Sequence, residues 1–108
     1  MIFYNKNEVV NILLFKENKV SGIIKIYKRT KEQGILDIFI RPRYRCTWMN
    51  KNYYFNLKND FIEIVKKYGY NLVITRLNNI KSLRLLNHFG FNKYNDKFYY
   101  LVVWNGII

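Results

Sequence analysis

The first candidate for chemistry is a single carboxylate in an apolar segment near the middle of the chain. Asp37 stands between Leu36 and Ile38, inside the run 35–40. Burial among apolar side chains makes a carboxylate a better proton acceptor near neutral pH, as a catalytic base must be. The alternative is that Asp37 points outward from a half-exposed strand into solvent.

The second candidate follows within a few residues and is basic. Guanidinium groups form paired hydrogen bonds with phosphate, and arginine next to an aromatic ring also suits nucleic-acid bases. Three interpretations stay open: a phosphate-bearing ligand, a nucleic acid, or a solvated loop in a basic protein. The cluster consists of Arg41, Pro42, Arg43, Tyr44 and Arg45.

Two further reactive residues carry less weight. Cys46 follows the arginines directly, but the sequence offers no base close to it, and His88 stands near the end of an apolar helical segment. The chain has one Cys and one His, which excludes an intramolecular disulfide, a Cys-based zinc site and a His-rich metal site. We therefore expect no metal.

Length and composition predict one folded domain over residues 1–108. Hydrophobic residues make up 50% of the chain, too many for a disordered protein, and the length suits a single core. No segment approaches the ~20 apolar residues of a membrane span. The N-terminal run 9–15 lacks the features of a signal peptide. We expect a cytoplasmic protein without a membrane partner.

The net charge of +12 indicates an anionic partner, such as nucleic acid, a phosphorylated ligand or an acidic protein surface. Part of this charge reflects codon usage. Lys, Asn, Ile, Tyr and Phe, whose codons are AT-rich, supply 60 of the 108 residues, and Ala, whose codons are GC-rich, is absent. The bias indicates a low-GC bacterium, its phage or another mobile element, so the protein would act in a host cytoplasm or a virion.

The elements that must position these residues follow from hydrophobic periodicity. Alternation and short apolar runs predict strands at 9–16, 20–27, 35–40, 71–77 and 97–104. Apolar residues at helical spacing predict one helix over 54–68, closed by Gly69, and a second over 80–89, from the N-cap Asn79 to Gly90. The order β-β-β-α-β-α-β predicts an α/β protein with a mixed sheet, in which the strands on either side of a helix run parallel.

Three motifs in this order resemble a known family. They are LDIFIRPRYR at 36–45, KKYGYNLVI at 66–74 and NIKSLRLLNHFGF at 79–91. In these motifs the chain is similar to the Gcn5-related N-acetyltransferase (GNAT) family over residues 35–103. The resemblance implies a GNAT-like fold, acetyl-CoA as the cofactor, and transfer of an acetyl group to an amine.

The resemblance also implies where the site lies. Asp37 would be the catalytic base. The cofactor would lie along the strand before the first helix, reach the loop that leads into that helix, and contact the start of the second helix. The cofactor-binding residues implied in this way are Ile38, Ile40, Arg45, Cys46, Thr47, Trp48, Met49, Asn50, Asn79 and Ser82.

The chain departs from the family pattern at three places. Trp48 and Asn50 replace small residues of the phosphate loop, and Leu86 replaces a Tyr that protonates the leaving thiolate in many members. Only seven residues precede Glu8, where the family has a strand and two helices that form the acceptor wall. A second copy or a protein partner would complete that wall. The alternative function is a catalytically inactive GNAT-fold protein, encoded by a phage or mobile element, that binds a virion or host protein or nucleic acid.

Overall fold

The computed structural model describes residues 2–16, 18–42, 51–77 and 83–103. Within these ranges the chain forms one seven-stranded sheet and two helices. The helices are α1 (Lys51–Lys67) and α2 (Leu83–Phe89). The strands are β1 (Ile2–Lys6), β2 (Val9–Lys16), β3 (Lys19–Lys28), β4 (Gln33–Ile40), β5 (Leu72–Arg76), β6 (Asn92–Lys93) and β7 (Phe98–Val102).

The sheet is mixed, as the order of elements predicted. Its strand order is β1-β2-β3-β4-β5-β7-β6. β4 and β5 are parallel neighbours on either side of α1, and every other described pair is antiparallel. The predicted α/β class and element order are confirmed, and the structure adds β1 and β6, one at each outer edge.

The connection between β1 and β2 is a two-residue turn. Asn7 and Glu8 have φ of 53° and 64°, as the two central residues of a type I′ hairpin turn do. Asparagine adopts this backbone readily, whereas a glutamate does so at a cost. The family resemblance implies two helices after the first strand. Here the chain passes directly from β1 into β2, so the predicted loss of those helices is confirmed.

Both helices pack on the same face of the sheet. Their buried side chains form one cluster with alternate residues of the strands. At its centre the rings of Phe61 and Phe89 stack, with centroids 4.5 Å apart and an interplanar angle of 4°. Full burial of such a side chain contributes roughly 1.5–3 kcal/mol, so this pair holds α1 firmly against α2.

Each helix ends in the same hydrogen-bonded cap around a glycine. In α1 the Gly69 amide donates to the Lys66 carbonyl at 3.0 Å. The next amide, that of Tyr70, donates to the Val65 carbonyl at 3.2 Å. The same two bonds form around Gly90 in α2. The two glycines have φ of 79° and 87°, which favour Gly, and the predicted helix ends are confirmed.

Candidate functional site

The two parallel strands part before either of them ends. β4 and β5 are in register over four residue pairs, the last of which joins Leu36 to Thr75. β4 continues to Ile40 and β5 to Arg76, without a further pair between them. The sheet therefore opens here, and Asp37 and Ile38 have no ladder partner on this side among the described residues.

A side-chain hydrogen bond lies at the point of parting. The Thr75 hydroxyl donates to the Leu36 carbonyl oxygen at 3.0 Å, and both residues are buried. Thr75 is not among the site residues predicted from the sequence. A signal for it exists, because Thr75 directly follows the apolar run 72–74 in a strand predicted to be buried, where a hydroxyl needs a partner.

At two of the predicted positions in β4, the backbone amide group points toward the opening. The Arg41 amide donates to the Ser21 carbonyl of β3 at 2.8 Å. Amides alternate between the two sides along a strand, so those of Ile38 and Ile40 point to the side of β5. Both side chains pack partly buried against the core. The two residues thus have the orientation that their predicted role requires, and the role itself stays a prediction.

Asp37 is the first residue of β4 beyond the last pair with β5. Its side chain is exposed and lies on the face opposite the helices, because the neighbouring Leu36 is part of the core. Lys25 of β3 stands opposite it in the ladder, and Arg76, also exposed, ends β5 across the opening. The structure therefore agrees with the alternative in which the Asp37 side chain points outward into solvent. Asp37 is accessible to a ligand, but the chain by itself does not bury it.

The remaining predicted cofactor contacts fall outside the described residues. They are Arg45, Cys46, Thr47, Trp48, Met49, Asn50, Asn79 and Ser82. The flanking elements agree with the predicted arrangement: β4 ends at Ile40, exposed Arg41 and Pro42 follow, and α1 begins at Lys51. The predicted phosphate loop is therefore preceded by a strand and followed by a helix, as the phosphate interpretation requires.

Leu86 is part of the core. It is 2% exposed, and the cap that closes α2 uses its carbonyl as an acceptor for the Phe91 amide. A buried Leu has no proton to donate to a leaving thiolate. The position that carries the family's Tyr serves packing in this chain.

A separate groove lies between β1 and α1. It has a volume of about 360 Å³ and is lined by Phe3, Asp60, Glu63, Ile64 and Lys67. The Lys67 ammonium stands 4.9 Å from the centroid of the Phe3 ring, a cation–π contact that ties β1 to α1.

Within the described ranges, no three His, Cys, Asp or Glu side chains could hold a metal ion together. No helix in these ranges is long and apolar enough to cross a bilayer.

The sequence matches no family profile and no curated protein sequence. Solved structures, by contrast, share the fold. GCN5 from Tetrahymena superposes with a TM-score of 0.67 and 11% identity, over 94% of this chain and 72% of that one. Spermidine N-acetyltransferase from Vibrio cholerae, solved with CoA and spermine, gives 0.66 and 13%, over 90% of this chain and 67% of that one.

A third neighbour is the N-acetyltransferase PseH from Campylobacter jejuni, solved with acetyl coenzyme A. Its TM-score is 0.62 at 14% identity, over 90% of this chain and 70% of that one. At such identities the likeness establishes the fold. The chain has the fold of the GNAT acetyltransferases, as its motifs predicted.

Proposed function

We propose that the chain binds acetyl-CoA in the opening between β4 and β5 and transfers its acetyl group to an amine. The parting of the strands after Leu36 and Thr75 carries the proposal. β4 runs four residues past the last pair and β5 one. The edge of a strand that has lost its neighbour can accept another extended chain at about 4.8 Å. The amide-containing arm of coenzyme A can pair with such an edge in the manner of an added strand.

The described residues fit this ligand. The Ile38 amide points to the side where the arm would lie, and the Thr75 hydroxyl donates to the Leu36 carbonyl oxygen at the inner end of the opening. Exposed Arg41 follows the strand toward the loop where the phosphates would lie. Acetyl-CoA supplies an activated thioester when it is bound. The chain would supply the edge that orients it.

Asp37 is the residue suited to take the proton from the attacking amine. Its carboxylate is exposed on the face of the sheet opposite the helices, one residue past the last pair of the ladder. An amine that approaches the opening from this face would meet the carboxylate first. A carboxylate within hydrogen-bond reach can hold such an amine and accept its proton as the new bond forms.

Calorimetric titration with acetyl-CoA tests the binding step, and NMR of the ¹⁵N-labelled chain tests its location. We expect heat of binding and a shift of the Ile38 amide resonance, with the Ile64 amide inside α1 as the internal reference. The NMR measurement needs no variant, so it does not depend on a mutant's folding. No heat and no shift at about 1 mM acetyl-CoA, the limit of weak binding, would end the proposal.

Release of free coenzyme A thiol in the presence of amines tests the transfer step. Spermidine is a suitable first acceptor, because a neighbour in fold acts on it. Asp37→Asn should lower the rate by about 10²–10⁴-fold if the carboxylate is the base, and should leave acetyl-CoA binding unchanged. Equal rates for the parent and this variant would remove Asp37 from the mechanism.

Binding without transfer is the second candidate function, and Leu86 favours it. The chain lacks the family's proton donor at this position, since Leu86 is buried in the core. The same two assays separate the candidates. Heat of binding without thiol release across a panel of primary amines would support an acetyl-CoA-binding protein that has no transferase activity.

A further inference from the structure

The exposed large apolar side chains are concentrated on one face of the sheet. Seven described hydrophobic residues are strongly exposed, and by strand register six of them share the face opposite α1 and α2. No helix formed by the described residues packs there. We call this surface the open face. Its exposed members are Tyr4 (44%), Tyr27 (38%), Ile35 (41%), Phe39 (52%), Phe98 (39%) and Val102 (61%).

Strand register arranges the open face in rows that run across the sheet. The central row consists of Tyr4, Asn11, Lys25 and Asp37, and it carries opposite charges on the neighbouring strands β3 and β4. An apolar row lies on either side of it, two residues away along each strand. The first row includes Leu13, Ile23 and Phe39. The second consists of Val9, Tyr27, Ile35, Ile74 and Tyr100, with the exposed Lys6 at its β1 end.

The two charges of the central row are not paired with each other. Lys25 and Asp37 are opposite one another in the β3–β4 ladder, yet no salt bridge joins them. Neither forms a salt bridge with another described residue. Lys25 is only partly exposed, between Asn11 of β2 and Asp37 of β4, and no counter-charge lies within salt-bridge distance of it among the described residues. A surface of this kind is stabilised when a partner brings the missing charge.

We propose that a second copy of this chain covers the open face in a two-fold symmetric dimer. The axis would lie in the plane of contact, parallel to the strands and midway between β3 and β4. Rotation about it exchanges the two strands, so each Lys25 faces Asp37 of the second copy. The same rotation sets Ile23 against Phe39 of the second copy. The open face is therefore complementary to its own image in both charge and apolar surface.

The exposed area agrees with an interface of ordinary size. The chain exposes 7365 Å² at a mass of 13.3 kDa. Folded monomers of this mass expose roughly 6,450 Å², so the whole surface of this chain is roughly 900 Å² larger than average. Each partner of a standard protein interface buries about 800 Å². Two sheets stacked face to face lie about 10 Å apart, which lets their side chains interdigitate.

An acidic amphipathic helix from another protein is the competing occupant. The net charge of +12 would attract it, and the apolar rows would accept its apolar face. Such a helix would pair with Lys25 but would bring like charge to Asp37. The alternation of the two signs within one row instead fits the chain's own two-fold image, which is why we favour the second copy.

The dimer follows from the open face alone and does not depend on acetyl-CoA binding. Dimer formation and acetyl transfer compete for the same side chain. An Asp37 carboxylate that is paired with Lys25 of the second copy is not free to accept a proton from an amine. Acetyl transfer per chain should therefore fall as the protein concentration rises through the dimer range, whereas acetyl-CoA binding should not.

Sedimentation of charge-reversed variants tests the dimer. Lys25→Asp and Asp37→Lys each set like charges against one another in both contacts, so each should weaken the parent dimer about 10- to 100-fold. In an equimolar mixture of the two variants, every contact of the mixed dimer again joins opposite charges. The mixture should therefore dimerise although neither variant does. A mixture that stays monomeric would overturn the proposed pairing.

Controls separate a lost interface from a lost fold. Tyr94→Asp changes a side chain that is 76% exposed and lies outside the strands of the open face, so the dimer should persist. Far-ultraviolet circular dichroism reports whether each variant is folded. Hydrogen exchange of the unmodified chain needs no variant and should show protection in β3 and β4 that grows with concentration. A parent chain that is monomeric at about 1 mM, or dimeric without such protection, would refute the proposal.

Discussion

The Thr75 hydroxyl donates a 3.0 Å hydrogen bond to the Leu36 carbonyl oxygen at the last residue pair of the parallel β4–β5 ladder. Both residues are buried. A buried carbonyl needs a donor, and the Thr75 hydroxyl supplies one at the point where the ladder ends. The bond therefore stabilises the Leu36 carbonyl where β5 leaves β4, at the inner end of the proposed cofactor site.

Replacing this hydroxyl should destabilise both the fold and the proposed site. Thr75→Val preserves the shape of the side chain and leaves the buried Leu36 carbonyl without its donor, at a cost of about 1–3 kcal/mol. Urea unfolding measures the loss, and titration with acetyl-CoA should show weaker binding. Thr75→Ser keeps the hydroxyl and serves as the control. Equal stability of the Val variant and the parent would show that the bond contributes nothing.

The buried serine and the buried threonine described in the sheet should respond in opposite ways. Ser21 is fully buried, and its Oγ has no hydrogen-bond partner among the described residues. Ser21→Ala removes a desolvated polar group without breaking a bond, so unfolding should require the same free energy or up to ~1 kcal/mol more. Thermal unfolding measured beside Thr75→Val checks the contrast. A clear loss of stability would mean that the Ser21 hydroxyl has a partner.

The stacked pair in the core should dominate the stability. Phe89→Ala removes a fully buried ring that lies 4.5 Å from Phe61 and should cost about 3–5 kcal/mol. Phe98 is 39% exposed on the open face, so Phe98→Ala should cost less than about 1 kcal/mol. Denaturant unfolding of both variants at a concentration where the chain is monomeric gives the comparison. Similar losses would contradict the assignment of the core.

Two glycines should tolerate alanine differently. A Cβ at Gly22 would lie 2.5 Å from the Phe39 carbonyl oxygen, a backbone atom of β4, so β3 and β4 would have to move apart. We expect Gly22→Ala to cost about 1–3 kcal/mol. Gly69→Ala meets no atom within 4 Å, and its cost of about 1 kcal/mol comes from the positive φ alone. The reverse ranking in chemical unfolding would show that the approach of the strands is looser.

Stability should fall at alkaline pH through one buried tyrosine. Burial raises the pKa of Tyr70 above its ordinary 10.0, and the Glu8 carboxylate adds to the shift. Because the folded pKa is the higher one, this contribution to stability is complete below pH 10.0 and is lost as the pH rises through the folded pKa. Unfolding of the parent and Tyr70→Phe should therefore diverge above that pH. Parallel curves across the alkaline range would assign the loss to other groups.

Much of the secondary structure could be predicted from the sequence, because the signals are local. Buried Ile24 and Ile26 alternate with Lys25 and exposed Tyr27, and that period alone indicates a strand with one face in the core. The glycine after α1 ends the helix because it adopts a positive φ at little cost. The order strand, helix, strand predicted the parallel pair around α1, because a right-handed crossover returns the chain in the same direction.

The pairing between distant segments was decided only by the tertiary structure. β1 has no clear alternation, and it becomes a strand because the turn at Asn7 and Glu8 folds it back on β2. Thr75 has its role because the register sets it beside Leu36, 39 residues away in sequence. The sequence likewise left open whether the Asp37 side chain is buried or exposed. The exposed outcome follows because both helices pack on the opposite face, a choice made by packing between elements and not by any local pattern.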